Sequence, residues 1–116
     1  MFLNTQTGMA RAGSARLSRA VREMRPHVAK AAALLKALAN EQRLMILCNL
    51  VEGPLSVGEL NDRVRLSQSA LSQHLGVLRE ADLVSTVRES QSVIYSLPPG
   101  IATRIIGLLH DEFCSK

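Results

Sequence analysis

Two cysteines and one run of short polar side chains are the residues in this 116-residue sequence with chemistry to offer. Cys48 and Cys114 lie 66 positions apart. No secretory apolar stretch precedes them, so a reducing, cytoplasmic setting is expected. A permanent disulfide is unusual there, and a reversible one is more often sensory or catalytic. The plainer reading is two small packed hydrophobes. The polar run holds Ser67, Gln68, Ser69, Ser72 and Gln73. A glutamine amide can bond both N7 and N6 of adenine, and a serine hydroxyl can serve base or phosphate. No glycine-rich phosphate loop, oxyanion site or carboxylate pair accompanies these groups. An enzyme is therefore not expected, no catalytic residue is assigned, and no cofactor is required.

The elements that must position these groups follow from periodicity. A helical pattern begins near Val21, and Ala33, Leu34, Ala37 and Leu38 form its stripe. Asn40 is suited to cap a second helix, which carries Leu44, Leu47, Cys48 and Val51 at helical spacing and stops at Gly53-Pro54. Ser56 with Glu59 spells a capping box for a short third helix over about 57–64. Ser67 caps a fourth. Leu55 and Leu60, then Leu66 and Leu71, sit at hydrophobic-staple spacing around these two caps. Two stapled helices joined by Arg65-Leu66 suit a fixed helix–turn–helix angle.

Projected at 100° per residue, the fourth helix divides cleanly. Ala70, Leu71, His74, Leu75, Val77 and Leu78 take one half; Gln68, Ser69, Ser72, Gln73, Gly76, Arg79 and Glu80 take the other. An ordinary solvated face would more often carry Lys and Glu at i,i+4 spacing. His74, on the apolar half, reads as a packed, hydrogen-bonded histidine. After Asp82 the period changes to two: 83–88 and 92–97 read as strands of a hairpin turning at Glu89-Ser90-Gln91. Pro98-Pro99-Gly100 ends it, and Ile101–Phe113 forms a last apolar helix. The predicted order is α-α-α-α-β-β-α, mainly helical with a small β-hairpin.

The net charge of +4 is unevenly spread. Residues 1–30 hold six basic side chains against one acid, while the remainder carries a net charge of −1. Residues 1–20 contain no acid and no apolar period, and are expected to form a flexible basic arm before a domain spanning 21–116. A folded part that is nearly neutral can meet a polyanion only through placement of its charges. With one Tyr, two Phe and no Trp, the core must be aliphatic, and a stacking platform for single-stranded nucleic acid is not expected. No apolar run is long enough to span a membrane.

Three stretches carry a specific resemblance: Leu34–Leu44 (LLKALANEQRL), Leu55–Leu60 (LSVGEL) and Leu66–Leu75 (LSQSALSQHL). They resemble the ArsR/SmtB family of bacterial winged-helix repressors over about residues 28–114. The resemblance implies a winged helix-turn-helix homodimer, with the first and last helices at its interface. It places the fourth helix in the major groove of an inverted-repeat, double-stranded DNA operator, and the hairpin as a wing on the flanking backbone. Gln68, Ser69, Ser72 and Gln73 are then the candidate base readers, Arg63, Arg65, Arg79 and Arg88 the candidates for backbone contacts, and Ser67 and Gln91 complete the expected DNA-binding set. The wing is less basic than is usual in the family, since Glu89 follows Arg88. A dimer is also expected on physical grounds. One helix–turn–helix buries little DNA, two place their reading helices about one turn apart, and the last helix is apolar over a wider arc than its own core needs. The arm's composition also fits an organelle transit peptide, which the bacterial resemblance disfavours.

Many members of this family sense metals. Here Ser56 and Gly58 stand where one family site has thiols, and only His110, Asp111 and Glu112 cluster on the last helix, so no metal ligand set is assigned. The segments around Cys48 and Cys114 instead resemble the dithiol branch of the family, the BigR-, SqrR- and HlyU-like regulators. That resemblance implies a repressor whose paired thiols are oxidised or persulfidated by inorganic or low-molecular-weight persulfides and polysulfides, releasing DNA. A ligand-independent regulator with structural cysteines is the alternative. His110, four residues before Cys114, favours a thiolate there; Asp111, Glu112 and the negative helix end oppose it.

Overall fold

A computed structural model of the chain describes residues 18–114. It divides into two compact units between Ala33 and Leu34. In the first, residues 18–24 are helical and a single 3-10 turn, Arg25–His27, leads into helix α1, Val28–Leu38. The arm expected over 1–20 lies outside the described residues except for 18–20, which are helical. Arg11 and Arg16 lie outside the described residues.

The second unit contains the end of α1, α2 (Glu41–Val51), β1 (Leu55–Ser56), α3 (Val57–Arg63), α4 (Gln68–Glu80), β2 (Ser85–Glu89), β3 (Ser92–Ser96) and α5 (Ile101–Cys114). The caps fall where local chemistry requires them. Asn40 Oδ1 accepts the Gln42 and Arg43 N–H groups at 2.9 and 3.0 Å. Ser56 and Glu59 close a reciprocal capping box at 3.1 and 2.8 Å. Ser67 Oγ accepts from Ala70 N–H at 3.1 Å. At the other end of α4, Asp82 takes the left-handed conformation, φ 59°, and Leu83 N–H bonds back to the Leu78 carbonyl at 2.9 Å. This motif is usually closed by glycine. It fixes the direction in which the chain leaves α4 for the hairpin.

Ile46, Leu47, Leu60, Leu71, Leu78 and Leu83 form the centre of an all-aliphatic core, joined at its edge by the buried Tyr95. The buried stripe of α2 is Ile46, Leu47 and Leu50. The predicted stripe was rotated from it: Leu44 is half-buried, and Cys48 and Val51 are exposed. Val77, assigned to the apolar half of α4, is 38 % exposed. The sheet has three antiparallel strands in the order β1-β3-β2. Leu55 pairs with Tyr95 and Ser56 with Ile94, so the cap of α3 is also an edge strand of the wing sheet. The hairpin pairs Ser85 with Ser96 through Glu89 with Ser92 and turns over Ser90-Gln91. Its first strand starts two residues later than expected, because Leu83 and Val84 are buried in the turn leaving α4. No described helix is long and apolar enough to cross a membrane.

Candidate nucleic-acid interface and thiol pair

Leu71, Leu75 and Leu78 anchor α4 in the core, which turns the opposite face to solvent. Gln68, Ser69, Ser72 and Gln73 are all exposed on that face, and Ser67 is exposed at its start. Ser67, Gln68, Ser69 and Ser72, with Val57, line a shallow open recess of about 580 Å³. The Ser67 oxygen is occupied by the cap, and its hydroxyl also lies 3.5 Å from that of Ser69. The freest groups of the face are therefore the amides of Gln68 and Gln73 and the hydroxyl of Ser72. An α-helix presenting such groups fits a major groove about 12 Å wide.

The four arginines are placed differently. Arg63 ends α3 and Arg65 sits in the turn before α4, both exposed. Arg79 is exposed on the last turn of α4 and donates to the Tyr95 hydroxyl at 3.2 Å, tying α4 to β3. Its remaining N–H groups stay available. Arg88 and Gln91 are exposed on the hairpin, with Glu89 between them.

His74 is half-buried behind this face and accepts a hydrogen bond at Nδ1 from Arg43 Nη1, at 3.2 Å. Because arginine only donates, the neutral imidazole carries its proton on Nε2. Arg43 also donates through Nε to the Ala37 carbonyl at 2.6 Å and through Nη2 to the Lys36 carbonyl at 3.2 Å. One guanidinium on α2 thus holds the last carbonyls of α1 and the back of α4. Periodicity did not single it out, because its partners come from two other helices.

Cys48 and Cys114 are both free and exposed. Helix α5 packs on α2, and continues through Cys114. The two thiols line one groove of about 240 Å³ with Leu44, Ile106, Leu109, His110 and Phe113. Partial burial pushes the Cys48 thiol up from its ordinary value, and the neighbouring Cys114 pushes it further. Among the described residues, no three His, Cys, Asp or Glu side chains converge as a metal site would require.

Comparison with known proteins decides the family. The profile described as "Bacterial regulatory protein, arsR family" matches residues 40–86, from the cap of α2 to the start of the hairpin. The transcriptional activator HlyU of Vibrio cholerae is 53 % identical over 81 % of this chain and 87 % of its own length. The chain belongs to the arsR family. A second relative, the biofilm growth-associated repressor of Agrobacterium fabrum, is 45 % identical over 79 % of each chain. The solved structure of reduced HlyU from Vibrio cholerae superposes with a TM-score of 0.75, covering 81 % of this chain and 99 % of that one. The fold is the winged helix-turn-helix of this family, with α3 and α4 as the paired helices and β2–β3 as the wing. The chain is accordingly a transcriptional regulator, and its relatives are DNA-binding proteins, not enzymes.

Proposed function

We propose that this arsR-family chain acts as a homodimeric repressor whose affinity for an inverted-repeat operator is switched by oxidation or persulfidation of Cys48 and Cys114. The observation that carries the reading is the shared groove: two accessible thiols, 66 residues apart in sequence, face one another's surroundings between α2 and α5 of a single chain. A link formed there is intramolecular. In the proposed dimer, α4 enters the major groove with Gln68, Ser69, Ser72 and Gln73 at base edges. Ser67, Arg63, Arg65, Arg79, Arg88 and Gln91 meet the flanking backbone.

The description of one relative's structure as reduced HlyU supports a redox-dependent state in that protein, and the Agrobacterium relative's name supports repression. The coupling has a physical route. Helix α2 carries Cys48, contacts both α4 and α5, and holds His74 through Arg43. A covalent link to α5 biases the position of α2, and with it the angle of α4. The test is operator binding by reduced and polysulfide-treated protein, for wild type and Cys48→Ser. Treatment is expected to weaken wild-type binding at least tenfold and to leave Cys48→Ser unchanged. Identical binding by both proteins in both states would remove the switch and leave a ligand-independent regulator.

A further inference from the structure

We infer that the thiol groove selects its reaction partner by charge, taking a small uncharged polysulfane, R–S–S–S–R with apolar R, ahead of anionic carriers of the same sulfur chain. This deepens the thiol-switch reading and rests on it. The groove between the two sulfurs is walled by Leu44, Ile106, Leu109 and Phe113. His110 is the one ionisable group besides the thiols among its lining residues. No lysine or arginine is among these lining residues, so the carboxylates of a peptide-borne carrier find no permanent cation there.

Asp111 and Glu112 are exposed three and two residues before Cys114, on the last turn of α5. The unsatisfied carbonyls of that turn carry the negative end of the helix dipole. All three features repel an anion approaching Cys114. Size points the same way. About 240 Å³ lies below the roughly 300–1,000 Å³ of sites for drug-sized ligands and suits a chain of a few heavy atoms.

The chemistry needs no further reagent. The Cys114 thiolate attacks an outer sulfur of the trisulfide, forming a mixed disulfide with the R–S group and expelling R–S–S⁻, which takes up a proton. Cys48, across the groove on α2, serves as the resolving group. Its thiolate attacks the Cys114 sulfur, closes the Cys48–Cys114 disulfide and expels RS⁻, which is protonated to RSH. Two thiols are oxidised and the trisulfide is reduced to R–S–SH and RSH.

The experiment compares dimethyl trisulfide with glutathione trisulfide on the reduced full-length protein. Intact mass follows the loss of two hydrogens, and each rate is divided by the rate of the same reagent with N-acetylcysteine. The normalised preference for dimethyl trisulfide is expected to be about tenfold or more. It should narrow several-fold in Asp111→Asn with Glu112→Gln, which preserve shape and remove charge. Equal normalised rates, with the disulfide formed by both reagents, would overturn charge selection while leaving the thiol switch standing. Disulfide formation with neither reagent would overturn both.

Discussion

The Ser56 hydroxyl and the Glu59 carboxylate each satisfy a backbone N–H that the first turn of α3 would otherwise leave to water. Replacing Ser56 by alanine is expected to cost about 1 kcal/mol of stability, measured by urea unfolding. The bond from the Ser56 backbone N–H also holds the Glu59 carboxyl below the usual carboxylate range. A carboxyl lowered by folding adds stability above the pH at which it titrates in the unfolded chain. That contribution disappears as the pH falls through its folded value. The stability gap between wild type and Glu59→Gln should therefore be widest near neutrality and close in acid. A gap that stays constant from neutral to acid pH would contradict this. These caps were legible in the sequence because each bond spans only two or three residues. Arg43 was not, because the carbonyls and imidazole that give its guanidinium meaning are supplied by α1 and α4.

At the scale of elements, α2 is the connecting piece. It buries Ile46, Leu47 and Leu50, carries Cys48 on its exposed side, and reaches α4 through Arg43 and His74. Substituting Arg43 by methionine removes three hydrogen bonds made by a charged group, each of a type worth about 1.5–3 kcal/mol. Two ends are freed: the last carbonyls of α1 and the Nδ1 of His74. We expect lowered stability, and weaker operator binding at temperatures where the variant is still fully folded. Calorimetry and fluorescence anisotropy on the same sample check both. Full operator affinity in the folded variant would show that α4 is oriented without this joint. Helices with a stapled cap were readable from sequence, and so was the hairpin. The strand β1 was not: two residues become a strand only by pairing with Tyr95 and Ile94, some forty positions away. The rotated stripe of α2 has a similar origin. Leu44, Leu47, Cys48 and Val51 satisfy the helical period, but the core that the other helices build buries Ile46, Leu47 and Leu50.

Across the whole molecule, α5 leaves Leu108 and Phe113 at 68 % and 75 % exposure, and α1 leaves Leu35 at 58 %. Apolar surface of this kind on helices outside the DNA-reading face supports the proposed dimer. Leu108→Glu is expected to shift the protein to monomer in sedimentation velocity. Losing the two-site advantage, it should bind an inverted repeat about 100-fold more weakly or worse, while a single half-site is bound as before. A dimer that persists in this variant would place the interface elsewhere. The apolar excess of α5 was visible in its sequence. That its end meets Cys48 was not, because the meeting depends on how α5 crosses α2.

The claim on which the account turns is that the amide and hydroxyl face of α4 reads base edges. Its most direct test is the ratio of operator affinity to non-specific DNA affinity, at one salt concentration, for wild type and for Gln68→Ala with Gln73→Ala. Each lost bidentate contact is worth about 1–3 kcal/mol of discrimination. The ratio should therefore fall at least about 30-fold, while non-specific affinity and its salt dependence stay as they were. An unchanged ratio in a folded double variant would mean that sequence is read by some other surface.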